Sequence, residues 1–119
     1  MIAAREMGKL VLLLNLSTLP KHSLVVKFII YDIEATCWEG RPPGMVQETI
    51  EIGACEIDPY GTIKGHFSRL IKPVVHPKLS YFCQRLTKID QADINRAQDF
   101  KRVIQEFKDW IGVDYEDYL

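Results

Sequence analysis

Asp32-Ile33-Glu34 sits near the end of an apolar, β-branched run, Lys27 to Glu34 (KFIIYDIE). Carboxylates at i and i+2 on a strand point to the same face. Side by side at the end of such a strand they repel, and removing water from them is costly. A divalent cation relieves both penalties, and hard oxygen ligands with room for water suit Mg²⁺ or Mn²⁺. Spacing alone does not decide the matter, because acidic pairs also occur on solvated strand ends. The surroundings add weight. The strand is too apolar for a solvated edge, and Ala35, Thr36 and Cys37 follow it as small residues that let a polymer backbone come close. A third acid, Glu51, lies on the mixed face of the next strand. It either reaches the same region or faces Lys64 or Arg69 across a hairpin as an ordinary surface acid.

The elements that must hold these residues are readable in outline. KFIIYDIE has the continuous apolar character of a strand buried on both faces. Gly40 to Gly44 (GRPPG) is loop. Glu48 to Ile57 alternates, with Ile50, Ile52 and Ala54 on one side and Glu51 and Cys55 on the other. Asp58-Pro59-Tyr60-Gly61 has turn residues in turn order. Extended structure resumes over Thr62 to Lys72, so Glu48 to Lys72 is predicted to be a β-hairpin. Pro73 and Pro77 end the sheet region. Leu79, Phe82, Cys83 and Leu86 then fall at helical spacing, and Asp90 to Ala97 reads as a helix behind an Asp cap, with Ile94 and Ala97 inward. Phe100, Val103, Ile104, Phe107, Trp110 and Ile111 mark an amphipathic helix with Asp99 as its N-cap. The order is strands first, then helices.

Length and composition bound the rest. The chain has 119 residues, 47% apolar and 26% charged, which suits one globular domain and excludes collagen, long coiled coil and wholesale disorder. Fifteen Lys and Arg against 16 Asp and Glu exclude a binder that works through gross positive charge. Three cysteines without CxxC spacing argue against a disulfide scaffold or zinc module and for a reducing, cytoplasmic setting. Residues 1–26 read as an N-terminal extension of uncertain role. Arg5 and Lys9 before Leu10 to Leu14 outline a signal peptide, but Asn15 breaks the run and no A-x-A site follows. The run is too short to span a bilayer, so no membrane partner is expected. A start of the natural domain at Val25 or Val26 is the other reading.

The stretch YDIEATCWEG resembles the first motif of the DEDD superfamily of 3′-to-5′ exonucleases, of the DnaQ and RNase T type. GRPPGMVQETIEIGACEID, FSRLIKPVVHPKLSYFCQRLTKIDQADINRAQDF and VIQEFKDWI are similar, in order and spacing, to its 3′hExo/KapD-like exoribonuclease branch. The resemblance covers about Lys27 to Ile111. It implies an α/β, RNase H-like fold that starts with three antiparallel strands followed by helices. It implies two-metal hydrolysis of nucleotides from a single-stranded 3′ end of RNA or DNA, with RNA favoured by the exoribonuclease branch. Carried over, Asp32 and Glu34 match the first two metal-binding acids, with Asp32 bridging both ions. Ala35, Thr36 and Cys37 match the stretch beside the terminal nucleotide, and Phe82, Leu86 and Thr87 the segment framing its base and sugar. Trp38 either stacks a base or anchors its loop on the sheet. Apart from the resemblance, Arg41, Lys78, Arg85 and Lys88 are either contacts of a nucleic-acid-binding module or ordinary scattered surface cations.

The sequence departs from the pattern at its end. The family's third acid, in a W-G-x-x-D context, and its H-x-x-x-x-D with the general base have no match, and His22, His66 and His76 all precede the long helix. Asp114 or Asp117 could imitate the third acid, but no strand-forming run precedes them. Residues 27–119 are therefore expected to be the N-terminal part of an exonuclease domain, weakly active or inactive alone. In such a domain the first strand would be left with an open apolar edge, an invitation to self-association. Leu10 to Leu16 or a second chain would cover it. Two other readings stay open: a non-catalytic nucleic-acid-binding or assembly module, and a small structural protein with an accidental D-x-E.

Overall fold

A computed structural model of the chain describes residues 10–16 and 25–112, with side chains over 27–112. Strand β2 (Val25–Ala35) runs through the middle of a four-stranded sheet in the order β1-β2-β3-β4, with β1 at Leu10–Leu16, β3 at Thr49–Ile57 and β4 at Ile63–Leu70. All three pairings are antiparallel. The expected three-stranded start is present as β2, β3 and β4. The fourth strand comes from the segment read as an extension: β1 pairs with β2 from Leu10↔Tyr31 to Leu16↔Val25. It occupies the edge expected to be open, so self-association through that edge has no free ladder to use.

The hairpin turn follows its residue chemistry. Asp58 Oδ1 accepts from the N–H groups of Tyr60 and Thr62, each at 2.9 Å, and Gly61 takes the left-handed φ of 83° that the turn requires. Three helices follow: α1 (Tyr81–Thr87), α2 (Gln91–Arg96) and α3 (Phe100–Ile111). Asp99 caps α3 as expected, accepting from Arg102 N at 2.8 Å. Asp90 holds the N-cap position of α2, but its side chain makes no capping bond.

Alternation along β2 decides what goes where. Ile29, Tyr31 and Ile33 pack with Ile52, Phe67, Val103, Phe107 and Ile111 between the sheet and α3. Phe107 lies at its aromatic centre, with ring centroids 5.1 Å from Phe67 and 6.0 Å from Tyr31. Lys27 fastens the far end of α3: its Nζ donates to Ile111 O at 3.1 Å and pairs with Glu56 at 3.0 Å. A cation at a helix C-terminus also complements the helix dipole. A second cluster, of Cys37, Ile50, Leu79, Cys83, Ile89 and Ile94, packs α1 and α2 against the other end of the sheet.

The C-cap of α1 is Lys88, at φ 63° and ψ 23°, whereas α3 ends on Gly112 in the same left-handed region. A side chain with a Cβ is strained there, and glycine is not. Lys88→Gly is therefore expected to stabilise the protein by about 0.5–1 kcal/mol, after allowing for glycine's larger loss of freedom on folding. A thermal midpoint that rises by a few degrees is the sign to look for, and an unchanged or lower midpoint contradicts this account of the cap.

Candidate functional site

Because β2 places Ile29, Tyr31 and Ile33 inward, Asp32 and Glu34 fall on the opposite face of the sheet, as their spacing requires. Asp32 is exposed and Glu34 half-buried. Directly opposite residues of an antiparallel ladder share a face, and here Asp32 pairs with Gly53 and Glu34 with Glu51. Three carboxylates thus share one patch of sheet. Glu51 does not meet Lys64 or Arg69: Lys64 pairs with Asp58 and Arg69 with Glu106. Burial, and then the neighbouring Asp32, push the carboxyl of Glu51 above its ordinary value. Beside Asp32 the sheet is bare, since a Cβ built on Gly53 would meet no atom within 4 Å.

A bulge shifts the register between Glu34 and Ala35, and the chain then leaves the sheet. Its exit is pinned from two sides. Thr36 Oγ1 accepts from Glu48 N at 2.8 Å, Thr36 N donates to Glu48 O at 2.8 Å, and Gln47 Nε2 donates to Thr36 O at 3.1 Å. From the other side, Ser80 Oγ donates to Cys37 O at 2.6 Å and accepts from Cys83 N at 2.9 Å, so one hydroxyl both caps α1 and docks it on the loop. Cys83 Sγ donates to Ala35 O at 3.7 Å. This docking sets Phe82 and Leu86, both half-buried, beside the loop that follows the acids.

Of the residues matched to nucleotide contact, Thr36 and Cys37 are each only 2% exposed, backbone included, so both lie beneath the surface of the loop. Thr87 spends its hydroxyl on Cys83 O and Ile89 N. Burial, followed by a hydrogen bond with Cys83, pushes the Cys37 thiol up to about 12, which makes it a packing residue and not a nucleophile. Trp38 is half-buried and meets His76 edge-on, with ring centroids 5.1 Å apart, so the loop-anchor reading describes its packing. His76 belongs to a segment held by Glu48, whose carboxylate accepts from Val74, Val75 and His76 N at 2.7, 2.8 and 3.0 Å. Burial alone would raise the Glu48 carboxyl; those three donors outweigh it and hold the group below its ordinary value.

Sequence reasoning missed Glu48 and Gly53, whose roles depend on distant partners and on register. Ser80 was within reach, as a good N-cap type just before a run with helical spacing. His22, Asp114 and Asp117 lie outside the described residues. His66 is on β4 opposite Cys55. Among the described residues, no group of three or more His, Cys, Asp or Glu is arranged to hold a metal ion.

A family model described as exonuclease, of the RNase T type, matches residues 29–117. The chain belongs to the RNase T exonuclease family. Human 3′-5′ exoribonuclease 1 is 37% identical over 83 residues, covering 69% of this chain and 24% of that protein. A solved nuclease domain of 3′hExo, a DEDDh family member bound to rAMP, superposes with a TM-score of 0.68 at 36% identity, over 71% of this chain and 42% of that one. A 3′-exonuclease solved in 3′-end-specific recognition of a histone mRNA stem-loop gives 0.67 at 35% identity, over 71% and 38%. The chain therefore spans about a quarter of the human relative. These neighbours bear out the RNase H-like reading of the fold for the part they cover. Exonucleases of this family generally use divalent metal ions. The donor set fits one in part: Asp32 and Glu34 offer hard oxygens on one open face, Glu51 lies within repulsive reach of Asp32, and the bare surface at Gly53 leaves room for an ion and its waters.

Two variants test these electrostatics in metal-free protein. Glu51→Gln is expected to stabilise at neutral pH, because the charged form of Glu51 is the disfavoured one. The advantage shrinks as pH falls through the raised folded value and vanishes below the ordinary 4.5, where the unfolded chain is protonated too. Glu48→Gln should be less stable than wild type at neutral pH. That deficit closes only as pH falls through the depressed folded value, below 4.5. Thermal midpoints from pH 3 to 8 report both differences; the same sign for the two variants contradicts the assignment.

Proposed function

We propose that this chain carries the first acids and the nucleotide wall of a metal-dependent 3′-to-5′ exonuclease that works on the 3′ end of single-stranded RNA. The observation that carries the reading is the shared face of Asp32 and Glu34, opposite Glu51 and beside the bare sheet at Gly53, with the pinned loop 35–38 and α1 immediately next to it. Asp32 and Glu34 would hold Mg²⁺ or Mn²⁺. Bound there, such an ion supplies activation of water and neutralisation of charge at the leaving oxygen. Ala35, Thr36 and Cys37 form the stretch beside the terminal nucleotide, the latter two as its buried support. Phe82, Leu86 and Thr87 frame its base and sugar, and Trp38 closes that wall. RNA is favoured over DNA because the human relative is named an exoribonuclease and a similar 3′-exonuclease is solved in recognition of a histone mRNA stem-loop. The free thiols of Cys37, Cys55 and Cys83 suit a reducing compartment, in keeping with a cytoplasmic location.

One observation favours a second reading, a nucleic-acid-binding module without turnover. Among the described residues no histidine is placed for general-base work: His66 lies on β4 opposite Cys55, and His76 packs edge-on against Trp38. Loss of a general base typically costs about 10² to 10⁴ in rate.

Titration calorimetry with Mn²⁺ is expected to give uptake that Asp32→Ala or Glu34→Ala abolishes, together with slow trimming of a 5′-labelled RNA oligomer. Metal uptake unaffected by both substitutions contradicts the exonuclease reading. RNA binding that survives both, with steep salt dependence and no metal uptake, selects the binding module.

A further inference from the structure

Strand β1 covers β2 only as far as Tyr31, which faces Leu10, while β2 itself runs on to Ala35. Among the described residues no strand lies beside Asp32 and Ile33 on that side. The loop that follows fixes which way the backbone points there. Thr36 N donates to Glu48 O, on the β3 side. Successive residues of a strand turn their N–H groups to opposite sides, so Ile33 N–H faces the uncovered side. Its acceptor is Asp32 Oδ1 at 3.0 Å, a side chain standing where a neighbouring strand's carbonyl would be. The uncovered stretch is shorter than an ordinary strand of about five residues, so it suits an extension of β1 and not a strand from another chain.

The residues just ahead of β1, outside the described ones, fit this place. The ladder runs without a break from Leu16↔Val25 to Leu10↔Tyr31. Two more rungs in the same register would put Lys9 opposite Asp32 and Gly8 opposite Ile33. Gly8 and Ile33 would then exchange N–H and C=O. Gly8 suits its rung, because Ile33 lines an apolar cleft of about 340 Å³ with Phe100 and Ile104, and glycine carries nothing polar into it. Lys9 would fall on the other face, since directly opposite residues share one. On that face Asp32 and Glu51 repel, and a cation relieves them. We propose that residues 8 and 9 extend the β1–β2 ladder and set the ammonium of Lys9 beside Asp32, as a counter-ion built into the chain. Where Asp32 holds a divalent metal, the ammonium competes for the same oxygens and holds the site back. That last consequence rests on the proposed exonuclease reading; the pair itself does not.

The pair is tested in the full chain without metal. Lys9→Met is expected to lower the thermal midpoint by about 2–4 °C and to have no effect in an Asp32→Asn background, since both changes delete the same contact. Gly8→Pro removes an N–H from the ladder and should quicken hydrogen exchange at the Ile33 amide about tenfold, while Tyr31 keeps its protection. Exchange at Ile33 that Gly8→Pro leaves unchanged, or equal losses from Lys9→Met in both backgrounds, overturns the inference. Calorimetry then separates it from the exonuclease reading. Lys9→Met should bind Mn²⁺ about tenfold more tightly than wild type, and Arg5→Met, an equal loss of charge, should not. Mn²⁺ bound equally by wild type and Lys9→Met overturns the inference and leaves the exonuclease reading intact. Coupling of Lys9 to Asp32 with no Mn²⁺ uptake by either protein supports the pair and overturns the exonuclease reading.

Discussion

The pleat of β2 governs this molecule. A strand offers its side chains alternately to two faces, and β2 gives one face to Ile29, Tyr31 and Ile33 and the other to Asp32 and Glu34. The first set is held by the aromatic packing under α3. The second has no choice of direction once the first is buried: a one-residue slip would drive carboxylates into the core and bring isoleucines out. Burial of the hydrophobic face therefore does the work of aiming the acids. The cost of bringing like charges together is met by the stability of a core they do not touch. The raised carboxyl of Glu51 is the residue of that cost, visible as a group that would rather be neutral.

The loop after β2 depends on a different kind of contact. Nothing in the local preference of Ala35 to Trp38 dictates where that loop runs. Its course is set by hydrogen bonds arriving from Glu48, Gln47, Ser80 and Cys83, all distant in sequence from the acids. One hydroxyl, Ser80 Oγ, links the start of a helix to the loop after β2, so the position of Phe82 follows from the position of Cys37. The course of this loop is carried by backbone carbonyls and a cap, while the thiols of Cys37 and Cys83 pack beside it.

This division explains what could be read from the sequence. The shared direction of Asp32 and Glu34, the Asp58 to Gly61 turn and the Asp99 cap are local rules, and each holds in the structure. The inward face of α3 follows from its period at Val103, Phe107 and Ile111, whereas Phe100 in the first turn is 48% exposed. Glu51 had two readings because its neighbour depended on register, which only the pairing of β2 with β3 supplies. The partner of Leu10 to Leu16 was open for the same reason: an apolar run says that it will be covered, not by what. Glu48 could not be foreseen, since three backbone donors from residues 74–76 reach it only in the folded chain. Asp90 holds the expected cap position, and the chain turns into its helix there without a side-chain capping bond.

The strand order β1-β2-β3-β4 has a consequence for how the protein is made. Each strand pairs with the one that left the ribosome just before it, so no ladder waits for a distant segment to return. Loop closures stay short, and assembly of such a meander is quick. β2 is sheltered on its first side as soon as it emerges, before β3 exists to shelter the second. The apolar central strand thus waits for one further neighbour and not two, which shortens the time its ladder stays open to other chains.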